Sequence, residues 1–178
     1  MTEQIKSLYS EKINIDILIN NAGTPQGSIL EMTSISTVKK IFEINFFSQI
    51  KIIQLLLRIM KKSKNASIIN IGSISGIKPA RGNLSYGSSK AALMFASQIL
   101  SEELKNYNIR VNAFAPSITE TDMMEKIDKK AKEEMIKDTK LKRPYTTKEV
   151  AEKILFLASD KSKKINGKII TMDNIYDW

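Results

Sequence analysis

Ser67-Ile68-Ile69-Asn70-Ile71-Gly72-Ser73-Ile74-Ser75-Gly76 and, ten positions on, Tyr86-Gly87-Ser88-Ser89-Lys90 read first as structure. A short apolar run ending in glycine and serine has the pattern of a buried parallel strand entering a loop. Ser73 then lies just past a strand end, thirteen positions before Tyr86, and Lys90 follows the tyrosine by four. A tyrosine and a lysine four apart share one face of a helix. An ammonium beside a phenol favours the phenolate, so the spacing predicts a tyrosine able to give and take a proton near neutral pH.

Outward from this stretch the same punctuation repeats. Ile15-Asp16-Ile17-Leu18-Ile19 runs into Asn20-Asn21-Ala22-Gly23, Ile109-Arg110-Val111-Asn112-Ala113-Phe114-Ala115 stops at Pro116, and Lys168-Ile169-Ile170-Thr171-Met172 gives a fourth strand. Apolar residues at helical spacing fill the intervals at about positions 36–62, 86–106 and 147–159. The last begins with a capping signature at Thr146 or Thr147, with Glu149 and Glu152 early in the helix. Strands alternating with long helices predict an α/β fold with a parallel, doubly wound sheet, and positions 1–178 read as a single domain. Ligands of such sheets bind beyond the carboxyl ends of the strands, so the segments after Asn20, Ser73 and Pro116 should meet on one rim.

Composition narrows the chemistry. The 178 residues contain no histidine and no cysteine, which removes Ser-His-Asp catalysis, thiolate nucleophiles, disulfides and the common zinc sites; no metal site is expected. The first residues are too polar for a signal peptide, and the apolar run at 50–60 is interrupted by Lys51, Gln54 and Arg58, so a cytoplasmic protein without a membrane span is expected. The formal charge is +9, with fourteen Lys/Arg against seven Asp/Glu between Lys126 and Lys168. Those lysines are interleaved with acidic residues, as on a solvated helix face, and nucleic-acid binding is not expected.

The strings Asn20-Asn21-Ala22-Gly23, Asn45, Ser73, Tyr86-Gly87-Ser88-Ser89-Lys90, Arg110-Val111-Asn112 and Pro116-Ser117-Ile118-Thr119-Glu120-Thr121-Asp122-Met123 resemble, in that order, the short-chain dehydrogenase/reductase family. The resemblance extends from about Ile13 to Asn174 and is strongest to the bacterial 3-oxoacyl carrier-protein reductase branch. It implies a Rossmann-like fold and reversible hydride transfer between NAD or NADP and a carbonyl or secondary alcohol, either small or borne on a carrier protein. In that frame Tyr86 is the acid and base. Lys90 lowers the phenol pKa and holds the nicotinamide ribose, Ser73 orients the substrate oxygen, and Asn45 holds a water in a proton relay. The family also implies that Asn21, Ala22, Gly23, Pro116, Thr119 and Thr121 line the cofactor. Taken singly, each residue has an ordinary structural role; the ordered set is what carries the resemblance.

The pattern also departs from the family. None of the seven glycines forms a Gly-x-x-x-Gly-x-Gly turn before the first strand, so the sequence reads as a partial Rossmann-like sheet, N-terminally truncated, with the first three strands missing. The positions that would choose between NAD and NADP go with them. Ser117 stands where a glycine is usual, and Met172-Asp173-Asn174-Ile175 replaces an Asp-Gly-Gly turn. The strand at 15–19 should then have a bare apolar edge. Two functional readings follow: an oxidoreductase acting as a homo-oligomer or with a complementing N-terminal fragment, or a non-catalytic remnant or subunit that cannot bind cofactor on its own.

Overall fold

The computed structural model describes residues 3–11, 13–121, 124, 129–137, 139, 142–172 and 175–176. Strands β1 (Ile17–Asn20), β2 (Ala66–Ile71), β3 (Ile109–Ala115) and β4 (Ile169–Thr171) pair in parallel in that spatial order, and β5 (Ile175–Tyr176) closes the far edge antiparallel to β4. β5 was not expected from the sequence: two residues are too short a run to carry a periodic signal. Residues 173–174 of the predicted C-terminal turn, and Asp122 and Met123 of the loop string, lie outside the described residues.

β2 and β3 are buried along their whole length, which is why their sequences are nearly continuous in apolar residues instead of alternating. The two-residue period of a strand still sorts their side chains. Ala66, Ile68, Ile109 and Val111 pack with α3 (Ser48–Met60) through Ile53, Leu56, Ile59 and Met60. Ala113 and Ala115 meet Met94 of α4 (Leu84–Leu104). The intervening Ile69, Ile71 and Phe114 pack instead with Leu157 and Ala158 of α6 (Thr147–Ala158). Each fully buried Ile, Leu, Val, Met or Phe among them contributes about 1.5–3 kcal/mol. At the N-terminal end, α1 (Glu3–Ser10) is tied to α3 by the Tyr9 hydroxyl, which donates to the Leu55 carbonyl at 2.6 Å. α5 (Lys129–Lys137) lies in the basic segment before α6.

Helix ends are satisfied by named side chains. Thr146 and Glu149 form a reciprocal capping box at the start of α6, as the sequence predicts. Arg143 grips the Glu149 carboxylate with two bonds of 2.8 and 3.0 Å, and this pairing holds the carboxyl down at about 2. At the other end of α6 the buried Arg110 guanidinium, from β3, donates to the carbonyls of Leu157, Ser159, Ser162 and Ile165. These include the acceptors that a helix terminus leaves without partners. Burial lowers the Arg110 pKa and Asp160 opposes the shift.

The region predicted as one helix over 36–62 is interrupted. α2 (Ile35–Phe42) and α3 are joined by a π-turn over Glu43–Phe47, in which the Ser48 N–H bonds the Glu43 carbonyl. No apolar spacing announces such a turn, and π-turns occur disproportionately at functional sites; here it carries Asn45.

β1 is an edge strand. Leu18 and Asn20 face the α3–α4 side, but Ile17 and Ile19 are 47% and 43% exposed, because α6 covers the sheet only from β2 outward. The bare apolar strand expected from the sequence is therefore present. Among the described residues no helix is long and apolar enough to cross a membrane.

The depth of α4 on the sheet is set by close approach. A Cβ at Gly87 would lie 2.7 Å from the Ser75 carbonyl oxygen, whereas one at Gly27 would meet nothing within 4 Å. Gly87→Ala should cost about 1–3 kcal/mol in urea unfolding, and Gly27→Ala should leave stability within about 0.5 kcal/mol. Equal stability of the two variants would refute the close contact.

Candidate active site

Three chain segments converge beyond the carboxyl ends of the strands. After β2, Ile74 N–H donates to the Pro116 carbonyl at 3.0 Å, joining the Ser73 turn to the segment that leaves β3. A short 3-10 turn over Ile74–Gly76 follows, and the Ser73 hydroxyl oxygen accepts from the Ser75 N–H at 3.2 Å. After β1, residues 21–24 run beside α4 and the π-turn.

Ser73 and Tyr86 meet: the serine hydroxyl hydrogen-bonds the phenol and favours its ionised form. Burial is the larger influence and pushes the phenol above its ordinary value. Lys90, one helical turn on, is engaged with the strand. Its Nζ is buried and donates to the Ile71 carbonyl at 2.7 Å. Burial lowers the lysine to about 8. Spacing alone placed the two groups on one helix face; the acceptor that claims the ammonium belongs to the neighbouring strand.

Asn45 is fully buried, and its amide is a clamp. Its Oδ1 accepts from Thr24 N–H at 2.8 Å, while Nδ2 donates to the Thr24 carbonyl at 3.1 Å and to Ser89 Oγ at 3.0 Å. Ser89 passes its own proton to the Tyr86 carbonyl at 2.8 Å. The loop after β1, the π-turn and the first turns of α4 are thereby fixed to one another. Gly23 sits at the centre of this arrangement: a Cβ there would come 3.1 Å from Lys90 Nζ and 3.4 Å from Asn45 Oδ1. Asn21 and Ala22 precede it as exposed residues on the same loop.

The Pro116–Thr121 segment is held differently. Thr119 forms an isolated parallel bridge with Tyr145, backed by Tyr145 N–H to Ile118 O and Glu120 N–H to Tyr145 O, both 2.9 Å. The Thr119 hydroxyl donates to the Ser117 carbonyl at 2.9 Å, and the exposed Thr121 hydroxyl to the Thr119 carbonyl at 3.4 Å. Pro116 thus joins the Ser73 turn directly, while the two threonine hydroxyls are engaged within their own segment. Among the described residues there is no cluster of acidic side chains able to hold a metal ion.

Several supporting residues escaped the sequence reading. A buried amide relay crosses the sheet: Asn20 Nδ2 donates to Asn70 Oδ1, Asn70 Nδ2 to Ser97 Oγ, each at 2.8 Å, and Ser97 to the Leu93 carbonyl at 2.7 Å. Gln49 donates to the Ala22 carbonyl at 2.8 Å. Polar residues interrupting otherwise apolar runs at 20, 49, 70 and 97 were the available signal.

Comparison with known proteins fits this architecture. The family profile described as enoyl-(acyl carrier protein) reductase matches residues 1–174. The chain belongs to the short-chain dehydrogenase/reductase family. It is 35% identical over 175 residues to the 3-oxoacyl-[acyl-carrier-protein] reductase FabG of Thermotoga maritima, covering 96% of this chain and 71% of that protein. Among solved structures it is similar to a 4-hydroxyisoleucine dehydrogenase mutant complexed with NADH and succinate, with 28% identity and a TM-score of 0.84, over 94% of this chain and 70% of the other. It is also similar to ElxO with NADP bound, with 26% identity and a TM-score of 0.85, over 96% and 70% of the two chains.

The buried lysine makes stability depend on pH. Its folded pKa, about 8, lies below its ordinary 10.5, so below pH 8 the fold must hold a charge that water would hold more cheaply, at a cost of roughly 3 kcal/mol. Between pH 8 and 10.5 the unfolded chain binds the extra proton and the cost fades, so stability from this group rises with pH. Lys90→Met should flatten that rise in urea unfolding measured at pH 7, 8.5 and 10. An unchanged slope would contradict the assignment.

Proposed function

We propose that this chain carries the catalytic portion of an NAD(P)-dependent oxidoreductase acting on a carbonyl or secondary alcohol. A 3-oxoacyl thioester on a carrier protein is the favoured substrate. The observation that carries the reading is the Ser73–Tyr86 hydroxyl pair at a strand end, one helical turn from a buried lysine beside a glycine-walled loop. Similarity to the Thermotoga maritima reductase supports the substrate class, and the NADH- and NADP-bound relatives support the cofactor class.

The residues present fit the nicotinamide end of such a cofactor. The absence of a side chain at Gly23 lets Lys90 Nζ lie against the loop, in the space that a Cβ would need. Lys90 has three N–H groups, of which Ile71 takes one; with Tyr86 it would hold the ribose hydroxyls. Asn21, Ala22, Pro116, Thr119 and Thr121 would line the same wall. The bound nicotinamide supplies or accepts the hydride. Tyr86 delivers its phenolic proton to the carbonyl oxygen in reduction and recovers it from the alcohol in oxidation. Ser73 donates to the same oxygen and stabilises charge developing there. Lys90 and a water near Asn45 return the proton from solvent.

A second reading rests on β1. Its unpaired edge and exposed Ile17 and Ile19 suit a further parallel strand from a nucleotide-anchoring unit, and without that unit the chain is a non-catalytic remnant or subunit. Titration with NADH and NADPH separates the two. Binding by this polypeptide supports autonomous catalysis; binding only after addition of a separately expressed strand–turn–helix fragment supports a complemented enzyme. We further assign a cytoplasmic setting and a homo-oligomer formed through α2, α3 and α4, supported by exposed Phe47, Phe95 and Ile99.

In whichever form is active, Tyr86→Phe should lower turnover by roughly 10²–10⁴-fold while leaving the urea midpoint nearly unchanged. Retained activity in that variant would reject the proton-transfer role.

A further inference from the structure

We propose that Gln49 is a positioning residue for the cofactor-facing loop, resting on the reading of residues 21–24 as that wall. Gln49 opens α3 and is 1% exposed, although its side chain is polar. Its Nε2 donates to the Ala22 carbonyl at 2.8 Å and to the Ile44 carbonyl at 3.2 Å, inside the π-turn. The π-turn makes this reach possible. There the helical ladder slips by one residue, so the Ser48 N–H bonds Glu43 rather than the Ile44 carbonyl it would meet in an α-helix. The Ser48 hydroxyl at 2.6 Å and the Gln49 amide both serve Ile44.

Asn45 and Gln49, four residues apart, therefore grip the same loop on either side of Gly23. Asn45 takes both backbone groups of Thr24; Gln49 takes the carbonyl of Ala22. Gly23, between them, is the residue whose backbone lies against Lys90. Asn45 alone fixes one end of this three-residue span. With Ala22 free, the peptide entering Gly23 could rotate away from the lysine while Thr24 stayed in place. Gln49 removes that freedom, so the loop is preorganised before a ligand arrives.

The test compares Gln49→Leu and Gln49→Met with the unaltered chain. Both keep the side chain's approximate size and lose the N–H donor; the unbranched, flexible methionine serves if the leucine variant folds poorly. Amide hydrogen exchange is followed at Thr24, which is bonded to Asn45, and at Ser28 and Gly72, which are bonded to the Gly82 and Phe114 carbonyls. The clamp predicts roughly tenfold faster exchange at Thr24, as for loss of one net hydrogen bond, with Ser28 and Gly72 changed by less than about twofold. Thr24 exchange that is unchanged, or that rises only in step with the other two, overturns the proposal. A parallel NADH and NADPH fluorescence titration should show roughly tenfold weaker binding in both variants wherever the unaltered chain binds; unchanged affinity there also overturns it. Failure of the unaltered chain to bind either nucleotide would count against autonomous catalysis, while the exchange measurement would still decide the role of Gln49.

Discussion

The approach of α4 to the end of β2 governs the geometry around it. The helix can lie so close because position 87 has no side chain to strike the Ser75 carbonyl. At that depth Tyr86 reaches Ser73 and Lys90 reaches the Ile71 carbonyl. Both catalytic candidates thus take their positions from strand β2 and the turn that follows it. The alanines of β3 serve the same end on the neighbouring strand, where Ala113 and Ala115 leave room for Met94.

Around this contact the site is held by amides more than by charges. Asn45 joins loop, π-turn and helix, and the Asn20–Asn70–Ser97 relay runs beneath it from the edge strand to α4. Neutral amides can satisfy one another in the interior without the desolvation cost of buried ions. Lys90 is a buried cation among these amides, and burial lowers its pKa. Glu149, by contrast, is paired with Arg143 at the exposed start of α6.

Strands β2 and β3 and helix α6 were legible in the sequence because each couples a clear apolar pattern to a clear boundary signal: glycine after Ile71, proline after Ala115, the capping pair Thr146 and Glu149 before α6. Ser73 and Tyr86 were legible as a pair because their spacing survives any small error in element boundaries. The anchoring of Lys90 to the Ile71 carbonyl was not, since that acceptor is a backbone atom and leaves no mark in the pattern of side chains. The π-turn was hidden for a similar reason, because it shifts the backbone ladder by one residue while preserving the apolar face. Gln49 and the Asn20–Asn70–Ser97 relay were visible only as polar residues in apolar company, a signal that marks burial of something without saying what it touches.

The half-covered edge of the sheet has a consequence for how the molecule opens. β1 is paired on one side only, and its Ile17 and Ile19 gain little from packing, so thermal fluctuations should unzip the sheet from this strand before they disturb β2 or β3. The loop that continues from β1 is the one lying against Lys90. The lysine is therefore roofed by the part of the fold that opens first, and water would reach the centre of the site through a local opening that leaves the rest of the protein folded.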